Sequence, residues 1–324
     1  MTKSLYGTMP DGRAVESYTL HNTHLRAEIL TLGATLDCLF VPDKNGKQEN
    51  ILLTFDSLEE RIANSDYQGE IVGRYANRIA DGRFTLNEKK YQVTPNEANG
   101  NCLHGGAEFS RGLWQAEAAS DTGLTLSFDS PDGAHGFPGA VKVRVRYTLR
   151  ESSLVIEYEA VPDAGTILNL TNHAYFNLAA QGDVLSHVLQ IDAAHYLPID
   201  ENSIPTGELR PVTGTPFDFT QAKPIGRDIR AGDVQLTQVK GYDHNFCNPG
   251  AIFVHEPQSG RCMAVETDLP GVQLYTGNFL PSQYAAFCLE TQAWPDSPNQ
   301  WPAQCLLRAG ETYRTTTRFV FSVK

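Results

Sequence analysis

The sequence predicts an all-β fold, a large antiparallel β-sandwich with long loops. Apolar residues alternate with polar ones over many short runs, turn-forming pairs separate these runs, and few segments carry a helical pattern. The chain has 324 residues, 41% hydrophobic and 20% charged, so it can form a substantial core. It contains no linker, low-complexity tract or fixed-period repeat, and we therefore expect residues 1–324 to form one domain.

The first local signals along the chain are two turns and a short helix. Asn45-Gly46 is a typical hairpin turn, and Asn87-Glu88 divides a later run of alternating residues. Between them, Ser57–Glu60 fits a capping box that opens a helix ending near Ala63. No other segment has a helical pattern of comparable quality.

The clearest strands follow in the middle and at the end of the chain. Apolar residues alternate with polar ones through Lys142–Leu149 and through Leu124–Phe128, which is typical of half-buried strands. A turn is predicted over residues 257–260. In the C-terminal strand we expect four residues to share one face: Tyr313, Phe319, Phe321 and Val323.

Charge and hydropathy exclude several classes of protein. With 26 basic and 38 acidic residues the formal net charge is −12, which argues against nucleic-acid and anionic-membrane surfaces. The most apolar stretch, Leu30–Val41, is too short to cross a membrane and contains Asp37. The N-terminus lacks the apolar region of a secretory signal, and the six cysteines are scattered. These features predict reduced thiols and a cytoplasmic protein.

Five segments combine ionisable groups with aromatic residues or glycine, a mixture typical of a small-molecule cleft. They are Gly73–Ile79, Asn101–Gly106, Asn169–Leu178, Gly241–Phe246 and Cys288–Gln300. Each segment alone is a weak indication, but five of them are hard to explain as surface residues.

His173 and Glu290 are the candidate acid and base. His173 lies in an apolar context, where it could be a buried neutral histidine or a proton-transfer group titrating near neutral pH. Glu290 follows an apolar strand, where it could point to water or act as a general base with a shifted pKa. The residues alone leave both interpretations open for each.

Other polar residues in these segments could bind a ligand. Asn77 and Arg78 could bind hydroxyls or a carboxylate, or could form a surface turn with a salt bridge. His104 could donate to a ligand beside two glycines or could be a turn residue. Asp243 could hold a ligand or form a turn. Three tryptophans, more typical of a core, could stack on a sugar: Trp114, Trp294 and Trp301.

Searches for metal, nucleotide and nucleophile motifs find nothing. His21 and His24 are close together but lack the glutamate of a zincin motif, and the other histidines fit no common zinc spacing. No phosphate-binding glycine loop and no nucleophile elbow occurs. We therefore expect a site without metal or cofactor.

The chain resembles the aldose 1-epimerase family, also called galactose mutarotase. The motifs GRYANRI, LHGG, TNHAYFNL, GYDHNF, GVQLYTGNF and LETQAWPDSPNQ follow one another in the family's order and span nearly the whole chain. The resemblance implies a β-sandwich of the galactose mutarotase-like type that interconverts the α and β anomers of free aldohexoses such as galactose and glucose.

The resemblance also implies residue roles. It makes His173 the general acid and Glu290 the general base. Six residues would hold the sugar hydroxyls: Asn77, Arg78, His104, Tyr175, Asp243 and Gln273. Ring opening needs a proton removed from the C1 hydroxyl and one delivered to the ring oxygen, which a carboxylate and an imidazolium can supply. We expect a bell-shaped pH dependence, with its acidic limb from Glu290 and its basic limb from His173 unless the pair is strongly coupled.

Two segments depart from the family's pattern. Ala107–Arg111 replaces the GFDK-type stretch that commonly follows LHGG, and the loop Pro281–Leu289 before Glu290 is short. Both could alter loop closure or sugar preference, and neither includes the proposed acid or base.

Three other functions remain open. A non-catalytic sugar-binding module could share the sandwich and its aromatic residues. A glycoside hydrolase could use Asp243 and Glu290 as paired carboxylates. A mutarotase for hexose 6-phosphates would need a dedicated cationic cluster, which we do not find in the sequence. Oligomeric state is not predicted.

Overall fold

Antiparallel strands dominate the computed structural model of the chain, which describes residues 1–64 and 66–324. Within these residues the strands are β1 (Thr2–Thr8), β2 (Ala14–His21), β3 (Arg26–Leu30), β4 (Leu36–Pro42), β5 (Gln48–Asn50), β6 (Ile71–Val72), β7 (Arg78–Ile79), β8 (Arg83–Leu86), β9 (Lys89–Gln92), β10 (Cys102–Leu103), β11 (Gln115–Ala119), β12 (Gly123–Ser130), β13 (Val141–Arg150), β14 (Ser153–Pro162), β15 (Thr166–Ile167), β16 (Thr171–Asn172), β17 (Val188–Ile191), β18 (His195–Tyr196), β19 (Arg210–Pro211), β20 (Lys223–Pro224), β21 (Asp243–Cys247), β22 (Ile252–His255), β23 (Arg261–Thr267), β24 (Gly271–Tyr275), β25 (Cys288–Gln292), β26 (Leu306–Leu307) and β27 (Tyr313–Val323).

The helices are short. They are α1 (Leu58–Ala63), α2 (Glu108–Arg111), α3 (Val234–Val239) and α4 (Ser297–Gln300). Single 3-10 turns cover Ala80–Gly82, His104–Ala107, Ala134–Gly136, Ile225–Arg227 and Pro302–Gln304. None of the described helices is long and apolar enough to cross a membrane.

Three larger sheets share one core. The first is the meander β1-β2-β3-β4-β5, the second has the order β11-β12-β13-β14-β27-β23-β22-β17-β20, and the third has the order β19-β18-β21-β24-β25. All three contribute to a single buried cluster, for example through Ile29, Val145 and Leu274. This architecture confirms the predicted antiparallel β-sandwich.

Most of the predicted strands and turns are confirmed. β13 alternates buried and exposed residues over its whole length, and its partner β12 buries Leu124 and Leu126. Turns join β4 to β5, β8 to β9 and β22 to β23, as predicted. In β27, however, Val323 is exposed, because the strand ends there beyond the core that buries Phe319 and Phe321.

The helix predictions are half right. The side chain of Ser57 accepts a hydrogen bond from the Glu60 amide and caps α1, which ends at Ala63 as expected. The expectation of few helices is confirmed, but a second helix of the same length as α1 was not predicted. Helix α3 has the same six-residue length, and the Asp233 carboxylate caps it by accepting from the Gln235 amide.

His187 supports a first prediction, on acid stability. Burial lowers the pKa of His187 from 6.5 to about 4, although Glu256 and Asp183 act in the opposite direction. Between those values the unfolded chain binds a proton that the folded chain does not, so stability is lost as the pH falls from 6.5 to 4. The difference between the two pKa values of His187 corresponds to about 3 kcal/mol in the free energy of unfolding.

The matched variant is His187→Gln, whose side-chain oxygen can still accept the Leu178 amide now bound by Nε2 of His187 at 3.0 Å. Urea unfolding at pH 7.5 and pH 4 should show the wild type losing about 3 kcal/mol more stability than the variant. Equal losses of stability in the wild type and in His187→Gln would contradict the lowered pKa of His187.

Candidate active site

A cavity of about 180 Å³ brings together residues from distant parts of the chain. It is lined by Asp66, Tyr67, Asn77, Arg78, Leu103, His104, His173, Tyr175, Asp243, Tyr275, Phe279 and Glu290. Small-molecule pockets for drug-sized ligands are typically ~300–1,000 Å³, so this smaller cavity suits one sugar ring better than a chain of sugars.

Neighbouring strands of the third sheet form one wall of the cavity. In the register of β21, β24 and β25, Gln273 pairs with Glu290, and Tyr275 pairs with both Asp243 and Cys288. Because side chains alternate across a sheet, Glu290 and Cys288 share a face of β25. Glu290 is therefore held on a regular strand rather than on a loop.

His173 enters from a second, two-stranded pairing. β16 pairs with β6, and His173 follows it directly. Two backbone bonds fix this position: the His173 amide donates to the Glu70 carbonyl, and the Gly69 amide donates to the His173 carbonyl, each at 2.9 Å. The imidazole is buried and its ring lies 5.0 Å from that of Tyr175, centroid to centroid.

The pairing of β7 with β10 brings in the third group of residues. The His104 amide donates to the Asn77 carbonyl at 3.0 Å, and the Asn77 amide donates to Nδ1 of His104 at 3.1 Å. Both residues have positive φ angles, 63° for Asn77 and 50° for His104. This reciprocal pair holds the His104 ring against the cavity.

Arg78 is anchored by a carboxylate outside the predicted segments. Its Nε and one terminal nitrogen donate to the two carboxylate oxygens of Glu97, each at 2.9 Å. A bidentate pair of this kind fixes the plane of the guanidinium. The salt bridge considered from the sequence is therefore present, and Arg78 lines the cavity as well.

His173 and Glu290 face each other inside the cavity. Nε2 of His173 lies 3.6 Å from Oε1 of Glu290, and both residues are at least 95% buried. Oε2 of Glu290 is buried and has no hydrogen-bond partner among the described residues. A hydroxyl and an ether oxygen of a sugar could meet these two groups together.

Burial shifts the pKa values of this pair in opposite directions. Desolvation raises the pKa of Glu290 well above 4.5, and the nearby carboxylate of Asp243 adds to the rise, while Arg78 partly offsets it. Desolvation lowers the pKa of His173 to about 4. Both shifts favour the uncharged forms, a protonated Glu290 beside a neutral His173.

His104 has a fixed proton arrangement. Because its Nδ1 accepts from the Asn77 amide, the proton of the neutral ring is on Nε2, which can donate but not ligate. Burial lowers the pKa of His104 well below 6.5, and the neighbouring His173 and Arg78 lower it further. The ring is therefore a neutral hydrogen-bond donor.

This arrangement bears on metal binding, because His104, His173 and Glu290 offer potential ligand atoms within 4.8 Å of one another. A metal on Nε2 of His104 would require moving the ring proton to Nδ1, where the Asn77 amide already points. The three residues therefore do not form a good metal site.

The corresponding prediction is that activity survives removal of metals. After dialysis against EDTA, the protein should accelerate sugar mutarotation as fast as the untreated sample does. Loss of activity that a divalent ion such as Zn²⁺ restores would contradict this argument.

The cavity collects seven of the eight predicted site residues. Gln273 is the exception: its amide donates to Oδ1 of Asp243 at 2.7 Å, but it does not line the cavity. Asp243 is half-buried, and burial raises its pKa, with Arg78 and the Gln273 bond acting against the rise. The tryptophans do not line the cavity either, and Trp114 belongs to the main core.

Sequence reasoning missed five lining residues, namely Asp66, Tyr67, Leu103, Tyr275 and Phe279. Tyr275 and Phe279 lie in the motif GVQLYTGNF, and Tyr275 is two residues beyond Gln273 on the same strand, so alternation could have identified it. Tyr67 packs its ring edge-on against His104 at 4.7 Å, a contact with no sequence signal.

A larger depression elsewhere on the surface, about 590 Å³, is lined by Asp43, Lys47, Glu49, Asp183 and Glu256, among others. None of the predicted site residues is in its lining. Its lining contains no histidine, so it offers no pair of carboxylate and imidazole like Glu290 and His173, and it is not the better candidate for catalysis.

The segment that replaces the GFDK-type stretch lies behind the cavity rather than in it. Ser130 donates to Glu108 in α2, and Arg111 donates to the carbonyls of Arg61 and Asn64 at the end of α1. The substitutions in Ala107–Arg111 therefore serve packing between the two helices.

Comparison with known proteins agrees with this geometry. A family profile described as aldose 1-epimerase matches residues 16–320. The galactose mutarotase of Bos taurus is 43% identical to this chain, covering 100% of this chain and 99% of its own length. The aldose 1-epimerase of Escherichia coli is 37% identical, covering 96% of each chain.

Solved structures give the same result for the fold. The galactose 1-epimerase of Lactobacillus acidophilus superposes with a TM-score of 0.90 at 29% identity, over 99% of this chain and 98% of that one. The fold and the cavity thus define a sandwich of the galactose mutarotase-like class. The chain belongs to the aldose 1-epimerase family.

Proposed function

We propose that this protein is an aldose 1-epimerase that interconverts the α and β anomers of free aldohexoses, galactose and glucose. The observation that carries the proposal is the buried pair His173–Glu290, 3.6 Å apart in a cavity of a monosaccharide's scale. Family membership and full-length similarity to galactose mutarotases support it.

In the proposed reaction Glu290 removes the proton of the C1 hydroxyl and His173 gives a proton to the ring oxygen. The C1–O5 bond breaks as the C1 carbonyl forms, which yields the open-chain aldehyde. Rotation about C1–C2 presents the other carbonyl face, and the two residues act in reverse to close the ring. No redox step and no covalent intermediate is needed.

The protonation state of the pair fits this scheme. The pair holds one proton, and moving it from Glu290 to His173 produces the carboxylate and the imidazolium that the reaction requires. The transfer leaves the net charge of the buried cavity unchanged. Sugar hydroxyls placed between the two groups can take part in this transfer.

The remaining lining residues would orient the sugar. Nε2–H of His104 donates to an oxygen, the guanidinium of Arg78 donates, and the Asp243 carboxylate accepts from hydroxyls. Asn77 and Tyr175 complete the contacts. We assign Gln273 to the orientation of Asp243, to which it donates at 2.7 Å.

Charge favours neutral sugars over sugar phosphates. Asp66 and Asp243 line the cavity, whereas Arg78 is the single cation in the described lining and already pairs with Glu97. A phosphate dianion would find carboxylates rather than free cations there. This arrangement disfavours the hexose 6-phosphate alternative.

The direct test is the optical rotation of freshly dissolved α-D-galactose and α-D-glucose. With the protein present, the rotation should reach the same final value in less time than without it. If the protein accelerates mutarotation of no aldose, the proposal is contradicted. The non-catalytic sugar-binding module is then the alternative function that the result favours. Release of reducing sugar from an aryl glycoside would instead indicate a hydrolase.

We further propose that residues 1–324 act as one domain in the cytoplasm. One buried cluster takes residues from Tyr18 to Phe321, which supports a single domain over nearly the whole chain. All six cysteines lie in the described part of the chain and are free thiols, as expected of a reducing compartment.

A further inference from the structure

The thiol of Cys288 lies beside the imidazole of His173, and no step of the proposed reaction uses it. Sγ of Cys288 is 3.6 Å from Nδ1 of His173, within hydrogen-bond range for sulfur. Cys288 is 0% exposed, so its thiol meets neither solvent nor the open cavity. The contact therefore concerns His173 rather than a ligand.

One strand contacts both nitrogens of this ring. Cys288 and Glu290 are two residues apart on β25, so both side chains point to the same side of the sheet. Glu290 faces Nε2 at 3.6 Å and Cys288 faces Nδ1 at 3.6 Å. The imidazole is thus held between two groups whose spacing a regular strand fixes.

We propose that Cys288 is a positioning residue for His173, an inference that rests on the proposed role of His173 as the proton donor. The sulfur of a thiol can accept the Nδ1–H of the imidazolium and also that of the neutral ring left after Nε2 has given up its proton. His173 would change its charge during each ring opening. The thiol accepts from Nδ1 in both states, so Nδ1 keeps its proton while Nε2 loses and regains one.

This arrangement leaves the other nitrogen free for the reaction. With the proton of the neutral ring on Nδ1, Nε2 is unprotonated and faces Glu290, from which it can take the shared proton. The imidazolium then gives the Nε2 proton to the ring oxygen and returns to the Nδ1–H form.

Burial lowers the pKa of His173 against a hydrogen bond with the residue's own backbone, but no described side chain other than Cys288 is hydrogen-bonded to Nδ1. Glu290 faces Nε2, and the rings of Tyr175, His104 and Tyr67 lie 5.0, 5.1 and 6.1 Å from the imidazole, centroid to centroid. Because a thiol is a weak acceptor, it stabilises the imidazolium little. This agrees with the pKa of His173, which burial lowers to about 4.

The kinetic test compares Cys288→Ala, which removes the hydrogen bond, with Cys288→Ser, which keeps a group that can donate and accept. We expect Ala to lower kcat about three- to tenfold, the size of one modest hydrogen bond, with little change in KM. Ser should recover most of that loss. Cys262→Ala is the matched control, because it removes a buried thiol that contacts the Gly260 carbonyl at 3.7 Å in β23.

A spectroscopic test is independent of turnover. Nitrogen-15 NMR of the imidazoles, with His173 assigned from the loss of its signals in His173→Asn, should show the Nδ1–H form in the wild type and in Cys288→Ser. Cys288→Ala should mix the two neutral forms and lower the pKa of His173. If Cys288→Ala does not fold, an Nε2–H form in the wild type would still overturn the inference.

The outcomes separate this inference from the proposed function. An inactive His173→Asn together with a Cys288→Ala of normal kcat and unchanged imidazole signals would overturn the role of Cys288 alone. A fully active His173→Asn would overturn the role of His173 and with it the inference. A lower kcat in Cys288→Ala, its recovery in Cys288→Ser and an unchanged kcat in Cys262→Ala would support the inference.

Discussion

Glu290→Gln should lower kcat at least 100-fold while the protein stays folded. General acid–base groups typically contribute ~10²–10⁴-fold, and the amide keeps the size of the side chain but cannot accept the C1 proton. Glu290 is 2% exposed and one of its oxygens has no partner, so the substitution disturbs few contacts. Circular dichroism and a cooperative melt should match those of the wild type.

Two further variants make the Glu290 result specific. Glu266→Gln makes the same chemical change at an exposed carboxylate that pairs with Arg318 on the large sheet, and it should leave kcat unchanged. Asp243→Asn tests the competing carboxylate in the cavity. If folded Glu290→Gln turns over sugar at a near-normal rate and Asp243→Asn does not, the base is Asp243.

The fold was predictable because its strands are half-buried. One face of β13 packs into the core and the other meets solvent, so apolar and polar residues alternate along its sequence with a period of two. Helix α3 left no comparable signal, since Leu236 stands where the capping box of α1 has Glu60, and Val234 at its start is 68% exposed. Its cap, Asp233, is indistinguishable in sequence from a turn residue.

The site was predictable in its residue types but not in its pairings. His173 and Glu290 could be selected because each is an ionisable group in an apolar context. The partner of Arg78, Glu97, lies 19 residues further along the chain, outside any polar segment we selected. The role of Gln273 depends on the register of β21 with β24, which only the folded sheet reveals.

The protonation order of the pair remains a prediction, and the structure bears on it. From ordinary pKa values, Glu290 would form the acidic limb of the pH profile and His173 the basic limb, unless the two are strongly coupled. Burial favours the opposite order, because it raises the pKa of Glu290 and lowers that of His173 to about 4. Sequence cannot supply this result, since it depends on how completely each side chain leaves water.

His173→Asn tests this order, and we expect it to lower kcat at least 100-fold, as for Glu290, because the amide cannot protonate the ring oxygen. The double variant with Glu290→Gln should lose less than the product of the single losses, since either change already stalls ring opening. Wild-type kcat/KM should fall below about pH 4, where His173 takes a second proton onto the pair.

The shape of the residual profile of His173→Asn is the decisive measurement. In the wild type, activity falls at high pH when the pair loses its one proton, which is held mainly by Glu290. In His173→Asn the same ionisation produces the only base left, so the residual rate should rise with pH where the wild-type rate falls. The variant should be assayed at raised enzyme concentration, with the uncatalysed rate subtracted at each pH. A residual rate that is already at its plateau by pH 5 would show that Glu290 ionises at its ordinary pKa and that His173 forms the basic limb.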